Sequence, residues 1–524
     1  MRRKDIVNNV RAILRENTKI NGHFDSSIYD LGNWKFGVDI FVISVRGKGD
    51  NKYLRLDGVY KNGAKILLET LGVYYKKINE NEVIIYKEEN IISLLSTKEI
   101  KDLLNDYLHQ LPPLKVEVMG YSETFTKEAQ IEAFYRQMNL VLNDSFLEFL
   151  ELDTSPILRD ESERGFLCFT NGVVDITIDE IVLRKYAELE DKVVWKKQIT
   201  DFNIGTRPKE QSHFERFISN VCNHDPERIK SLRSAIGYLL HAYHRKSGGQ
   251  MVILYDEQIT DLDNPQGGTG KGVIASAIMI IRNTVKLDGK KINGNDRFDF
   301  QDVRIDTEVV WIDDVGKQLN IDRFNSISTD GFNIEQKYKD SIHIPAEESP
   351  KIIICSNIIM DCTGTTRKRR QFIIELSSHY SSKISSGVEE PIIEEHGCRF
   401  FSDDWDDSEW NSFYWFMIGC FQDYLKDGLV PVPSINVFEN RSRQIIGEDL
   451  HNWLEKKEFS PDSDYLTKEL FEEYKGLYEG GNDRYTQRSF SNKLKKYFSL
   501  KGVQVVFDSK SLEGDKVSFF RISN

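Results

Sequence analysis

Apolar positions near the start of the chain recur at helical spacing, at Ile6, Val10, Ile13 and Leu14, and predict an amphipathic helix. Asp39–Val45, Val73–Lys77 and Glu82–Tyr86 alternate and predict strands, so residues 1–110 read as mixed α/β. Helical spacing dominates from Lys98 to Leu150. Gly165–Ile176, GFLCFTNGVVDI, is two apolar runs around Asn171-Gly172, the strongest short signal for a β-hairpin. Helical spacing returns from Phe214 to Tyr243, and Gln250–Tyr255 is a short buried strand that runs into a glycine-rich loop. Apolar strands follow at Val309–Ile312, Lys351–Cys355 and Gln371–Leu376. Glu409–Leu425 is helical and ends at Asp427-Gly428, with Pro431 and Pro433 beyond.

Composition narrows the classes. A length of 524 residues allows three or four domains at about 150 residues each. With 40% hydrophobic and 29% charged residues the chain is ordinary for a globular protein. The longest apolar runs, Val273–Ile281 and Phe413–Phe421, fall far short of the ~20 residues of a membrane span. The first residues hold no apolar core or cleavage site of a secretory signal. The six cysteines form no CxxC pair, which argues against a zinc ribbon or a disulfide scaffold and for a reducing, cytoplasmic setting. A net charge of −13 rules out a uniformly basic coat, so any nucleic-acid contact must come from local patches or from a pore assembled by several subunits.

The chemistry concentrates between Gln250 and Ser377. Gly267, Gly268, Thr269, Gly270, Lys271 and Gly272 lie between a strand and an apolar helix, the context of a phosphate-binding loop. Glycines let backbone N–H groups turn around a phosphate, the helix N-terminus adds partial positive charge, and Lys271 neutralises the outer oxygens. Pro265 stands where the pattern has glycine, and Gly272 where it has the serine or threonine that binds magnesium. Thr269, Ser276 or a water are the candidates to replace that hydroxyl. By itself the loop also reads as an exposed turn.

Val309-Val310-Trp311-Ile312 ends in Asp313-Asp314. A parallel strand beside the first sets both carboxylates at its carboxyl end, next to the phosphates. Asp313 is the candidate magnesium ligand, and Asp314 the group that orients and deprotonates the attacking water. Asn357, just past the third strand, is placed to reach the γ-phosphate or that water. Arg367-Lys368-Arg369-Arg370 precedes the next strand. In a ring-shaped ATPase, Arg370 and Arg369 are candidates to stabilise charge on a neighbour's γ-phosphate; the plain alternative is a solvated or nucleic-acid-binding cluster.

In that order and that close together, GGTGKG, VVWIDD, DGFNIEQKYK, KIIICSN and RKRR resemble the superfamily 3 helicases, most closely the poxvirus/phage primase-helicase type. Phe169–Asp175 is similar to the hairpin that precedes the core in that type. The resemblance is strongest over about Gly165 to Ser377, extends to the end of the chain and leaves residues 1–150 mostly uncovered. It implies an AAA+-like P-loop ATPase core with a parallel sheet and a helical N-terminal collar. It also implies ATP and Mg2+ as ligands, hexameric rings with hydrolysis at subunit interfaces, and 3′→5′ movement on single-stranded or forked DNA. The family's pore hairpin corresponds to Asn333–Ile344, where Lys337 and Lys339 would meet backbone phosphates and Tyr338 would stack on a base. Many members carry a primase at the N-terminus; its metal-binding aspartates are not evident here, and Asp39 and Asp57 qualify by residue type only.

At the other end, Leu466–Tyr478 and Thr486–Phe498 read as helices, and Gly502–Phe507 and Lys516–Ile522 as alternating strands. That order predicts a winged helix. Arg484 to Lys501 contains six cations and no acid, with Arg488, Lys493 and Lys496 the candidate DNA contacts. The expected architecture is therefore α/β, divided as 1–115, 116–245, 246–430 and 431–524. The expected activity is that of an ATP-dependent DNA helicase of a phage, plasmid or mobile element. The alternatives are an ATP-switch DNA-loading or defence scaffold without unwinding, a DNA-binding protein with an inactive loop, and a primase-helicase with a diverged primase.

Overall fold

The computed structural model describes residues 40–78, 81–118, 120–244, 249–259, 267–292, 296–316, 319, 321, 324, 327, 330–335, 341–360, 369–477, 486–512 and 515–522. The predicted N-terminal helix lies outside the described residues. The chain divides into two compact units. The first takes the chain up to Leu158 together with Tyr186–Lys197, and the second takes Arg159–Lys185 and Gln198–Asn524.

In the first unit, β1 (Phe41–Arg46) and β2 (Tyr53–Val59) pair antiparallel, close to the strand expected at Asp39–Val45. Strands β3 (Val73–Ile78), β4 (Asn81–Glu88) and β5 (Ile91–Leu94) form an antiparallel meander. The fourth strand of this sheet, β11 (Val194–Trp195), joins β5 in parallel from a hundred residues further along. Helices α1 (Lys61–Thr70), α2 (Thr97–Leu108) and α3 (Lys127–Tyr135) contribute Leu68, Leu104, Leu108 and Phe134 to the unit's core. Ser96 and Glu99 cap α2 reciprocally, which satisfies two backbone N–H groups at its start. Within the stretch read as helical, β6 (Leu114–Val118) and β7 (Tyr121–Phe125) form a hairpin. The alternation of LKVEV, with Leu114 and Val116 buried, overrides the helical spacing around it.

The second unit holds two sheets ahead of its C-terminal part. β8 (Arg164–Phe169) and β9 (Gly172–Thr177) form the hairpin that Asn171-Gly172 predicts, with β10 (Ile181–Arg184) on one side and β12 (Ile199–Thr200) on the other. The main sheet is entirely parallel, in the order β14 (Thr284–Asp288), β15 (Val309–Asp313), β18 (Lys351–Cys355), β13 (Met251–Asp256), β19 (Gln371–Leu376). Its three central strands are covered on both faces, which explains their unbroken apolar runs. One face packs on α4 (His213–Val221), α5 (Pro226–Leu240), α6 (Lys271–Ile281) and α9 (Asp407–Asp427) through a large shared core. Helices α5 and α9 meet closely because Gly237 has no side chain: a Cβ there would lie 2.1 Å from the Cys420 carbonyl oxygen. The other face packs on Phe300, Phe324 and Phe332.

A buried ionic cluster ties the base of this unit together. The Arg282 guanidinium, just past α6, pairs with Glu308 at 2.7 Å and Asp160 at 3.1 Å, and its Nε donates to the Leu240 carbonyl at 2.7 Å. Asp160 also accepts from the backbone N–H groups of Phe166 and Ala242. One guanidinium thereby fixes the ends of α5 and α6 and the start of β15.

Beyond α9 come α10 (Val437–Ile446), α11 (Glu448–Glu455), β20 (Asp464–Leu466), α12 (Thr467–Leu477), α13 (Gln487–Lys501), β21 (Val505–Leu512) and β22 (Asp515–Ile522). The three strands form one antiparallel sheet in the order β20, β22, β21. Phe490, Leu494 and Phe498 of α13 are buried in the core shared with α11 and α12.

Candidate functional site

At the carboxyl ends of three adjacent parallel strands stand Asp313 on β15, Asn357 two residues past β18, and Asp256 on β13. A glycine loop enters α6 beside them. Gly268 and Gly270 have φ of +102° and +107°, the left-handed region that glycine adopts without strain. A Cβ at Gly270 would lie 2.5 Å from Phe217, and one at Gly268 2.4 Å from Ile384, so both positions also need glycine for space. Around Gly267 and Gly272 a Cβ would meet nothing within 4 Å. Helix α6 starts at Lys271 with Gly270 as N-cap and no side-chain cap, so its first turn is open to an anion.

The Lys271 ammonium is nearly buried. It pairs with Asp256 Oδ1, donates to Asn357 Oδ1 at 2.7 Å and lies 3.4 Å from Thr269 Oγ1. The Thr269 hydroxyl also donates to Asp256 Oδ1. Asp256 is therefore the anchor of the loop. It was not singled out in the sequence, although the signal was there: an acid at the end of the strand leading into the loop.

Each acid at the end of the β15 strand has a lysine partner from the neighbouring edge. Lys286 of β14 pairs with Asp313 at 2.7 Å and lies 3.8 Å from the centre of the Trp311 ring. Lys290 pairs with Asp314. Asp314 itself has a φ of +52°, a conformation that carries about 1 kcal/mol or more of strain in a non-glycine residue.

Gly267 through Gly272, Ser276, Asp313, Asp314 and Asn357 all line one cavity of about 630 Å³. The rest of its lining is largely aromatic and aliphatic, built by Phe217, Tyr380, Ile384, Pro391, Phe400 and Phe401. Two short helices supply much of that wall, α7 (His379–Ser385) and α8 (Pro391–His396). Glu395 holds them together by accepting from His379 and Lys383 at 2.8 Å each, and from Asn220 of α4 at 2.6 Å. Burial works against its ionised form, but the hydrogen bonds from Lys383 and His379 prevail and hold its carboxyl at about 2. His396 shares its proton bond with the Tyr380 hydroxyl at 2.7 Å, and burial lowers its pKa to about 4. Arg399 also lines the cavity and forks onto Glu390 at 3.2 Å. Arg399 and the lysines at 286 and 290 escaped sequence reasoning because nothing local marks them; only the fold brings them to the site.

A nucleoside triphosphate with a divalent cation fits this donor set. The open helix start, the glycine backbone and Lys271 suit the phosphates. Among the described residues no group of three or more His, Cys, Asp or Glu is placed to hold a metal by itself. Of the candidates for the missing hydroxyl, Thr269 is committed to Asp256, whereas Ser276 faces the cavity one turn beyond Gly272.

Arg369 and Arg370 stand elsewhere, just ahead of β19 at the amino ends of the strands, where they line a different cavity. Lys337, Tyr338 and Lys339 lie outside the described residues, as do Pro265, Arg367 and Lys368. Their flanks, β16 (Phe332–Ile334) and β17 (Ile342–Ile344), pair antiparallel in the register Phe332↔Ile344. On α13, Arg488 and Lys496 are exposed, but Lys493 is half-buried and donates to the Ile446 carbonyl at 2.7 Å, closing the end of α10. No helix among the described residues is long and apolar enough to cross a membrane.

Residues 263–370 match the model of a protein family of unknown function, DUF5906. No curated protein matches the chain significantly. Among solved structures, the chain is similar to the apo A form of the NrS-1 C-terminal region, with a TM-score of 0.41 and 12% identity over 88% of this chain and 98% of that one. A second apo structure of that region, residues 305–718, gives 0.39 and 11% over the same shares. JCV helicase bound to a thiazolopyridine acetamide gives 0.26 and 12% over 44% of this chain and 60% of that one.

Proposed function

We propose that this chain is an ATP hydrolase of the superfamily 3 helicase kind that moves along or unwinds DNA. The observation that supports it most is the meeting of Lys271, Asp313, Asp314 and Asn357 with the glycine loop on one cavity at the carboxyl ends of parallel strands. The loop backbone and the start of α6 hold the phosphates, and Lys271 exchanges Asp256 for phosphate oxygens. The aromatic and aliphatic wall between Phe217 and Phe401 packs on the base. Asp313 and Ser276 would hold Mg2+, which when bound neutralises charge on the phosphates. Asp314 accepts the proton of the attacking water once Lys290 releases it, and Asn357 orients that water.

Arg369 and Arg370 are one strand length away, roughly 16–20 Å for five or six residues, so they serve a neighbouring copy in a ring rather than their own cavity. Lys337, Tyr338 and Lys339, which lie between β16 and β17 in the sequence, contact single-stranded DNA. The last four helices and three strands act as a winged helix, with Arg488 and Lys496 of α13 on DNA phosphates; Lys493 has a structural post instead.

The test is hydrolysis measured with and without single-stranded DNA, then strand displacement on a forked substrate. DNA-stimulated turnover and displacement that both disappear in Lys271→Ala are expected. Turnover without displacement would favour the switch reading, and turnover that survives in Lys271→Ala would remove the site.

A further inference from the structure

The cavity at the amino ends of the strands measures about 780 Å³. It lies at the opposite end of the sheet from the glycine loop and shares no lining residue with it. Four cations line it: Lys351, Arg369, Arg370 and Lys426. The acid that lines it, Asp427, is paired with Lys230 at 3.0 Å. In a chain of net charge −13 this is a local concentration of positive charge in a concave wall, which gathers anions.

The site is built rather than incidental. Lys351 is only 2% exposed, its ammonium donates to the Tyr243 carbonyl at 2.9 Å and it lies 4.0 Å from the centre of the Tyr238 ring. Tyr238 is fixed in turn, because its hydroxyl donates to the Gln250 carbonyl and accepts from the Gln250 N–H, both at 2.8 Å. His241 stacks on Tyr243 at 5.8 Å and lies tilted against Tyr424 at 5.7 Å, and Tyr424 meets Tyr238 edge-on at 5.6 Å. Burial, with Lys351 beside it, lowers the His241 pKa to about 3, so the imidazole is a neutral ring in this wall. Guanidinium forks and an ammonium are the groups that grip phosphate, and a wall of rings is the surface on which a base stacks. A guanidinium that reaches out to a neighbouring copy has no use for the buried Lys351 or for the rings; a ligand that enters the cavity uses both.

We propose that this cavity is a second nucleotide site that grips a phosphomonoester. Lys426 holds the phosphate over Lys351, and the half-buried rings of Tyr243 and Tyr424, backed by the buried Tyr238 and His241, face the base. The phosphate can come from a free mononucleotide or from the 5′-phosphorylated end of a strand. The proposal stands independently of the glycine-loop cavity.

Calorimetric titration of the full chain separates these cases. The probes are adenosine 5′-monophosphate and a hexanucleotide carrying either a 5′-phosphate or a 5′-hydroxyl. Monophosphate binding is expected to survive Lys271→Ala and to weaken roughly tenfold or more when Lys426→Glu is added, the effect of losing one charged phosphate contact. Lys426 is exposed, so that variant keeps the fold, which its melting curve verifies. Tighter binding of the 5′-phosphorylated strand than of the mononucleotide assigns the site to strand ends, and equal or weaker binding assigns it to free nucleotide. The proposal is overturned if Lys426→Glu leaves monophosphate affinity unchanged or if Lys271→Ala alone abolishes it. Unchanged ATP binding in Lys271→Ala would sink the glycine-loop reading and leave this one standing.

Discussion

Asp256 competes with phosphate for the Lys271 ammonium. Asp256→Asn keeps a side chain that can accept from Thr269 but removes the charge that Lys271 now pairs with. Nucleotide affinity is expected to rise several-fold, read by titration with a fluorescent ATP analogue; a fall would show that the carboxylate instead places the ammonium. Asp314→Asn should bind nucleotide as the parent does and lose turnover by two orders of magnitude or more, about the effect of removing a general base. Retained turnover would take Asp314 out of that role. At this scale much of the site was legible. Lys271, Asp313, Asp314 and Asn357 each sit beside a strand end or a glycine loop, so their positions followed from the element pattern. Arg399 and Lys290 did not, because their places depend on how α8 and β14 lie against other elements.

Among elements, the closest approaches decide the energetics. Gly237→Ala forces a methyl against the Cys420 carbonyl of α9. It is expected to destabilise by about 1–3 kcal/mol, seen as a lower Tm, with the glycine-loop residues untouched. Arg282→Met strands Asp160 and Glu308 without their shared cation, at an expected cost of about 3–5 kcal/mol. The wall made by α7 and α8 carries a pH dependence. His396 is held to about 4, below the ordinary histidine value, so between roughly pH 6.5 and 4 the unfolded chain binds the extra proton and stability falls as pH falls. Glu395, held to about 2, contributes stability that is complete above about pH 4.5 and is lost as pH drops toward 2. Thermal melts from pH 7 to 4 should show a declining Tm whose slope is shallower in His396→Gln, buried His241 supplying part of what remains; an unchanged slope would take His396 out of this dependence. The hairpin of β6 and β7 was misread as helix because helical segments on either side share its apolar content, and only burial of alternate residues distinguishes them.

Across whole molecules, the ring proposed above would bring Arg370 of one copy to the glycine loop of the next. Mixing Arg370→Ala chains with Asp314→Asn chains should then restore some turnover, since some interfaces combine an intact arginine with an intact acid. A mixture no more active than its parts would confine Arg370 to its own chain. The parallel sheet was foreseeable from the order of strands and loop, whereas the two-unit division was not, since β11 comes from inside the second unit's stretch of sequence.

That borrowed strand orders events during synthesis. A ribosome must carry translation past Trp195 before the first sheet can add its last strand, by which time β8, β9 and β10 have already emerged. The two units therefore cannot mature strictly one after the other, and a nascent chain arrested near residue 160 should remain open to protease where the completed protein resists it.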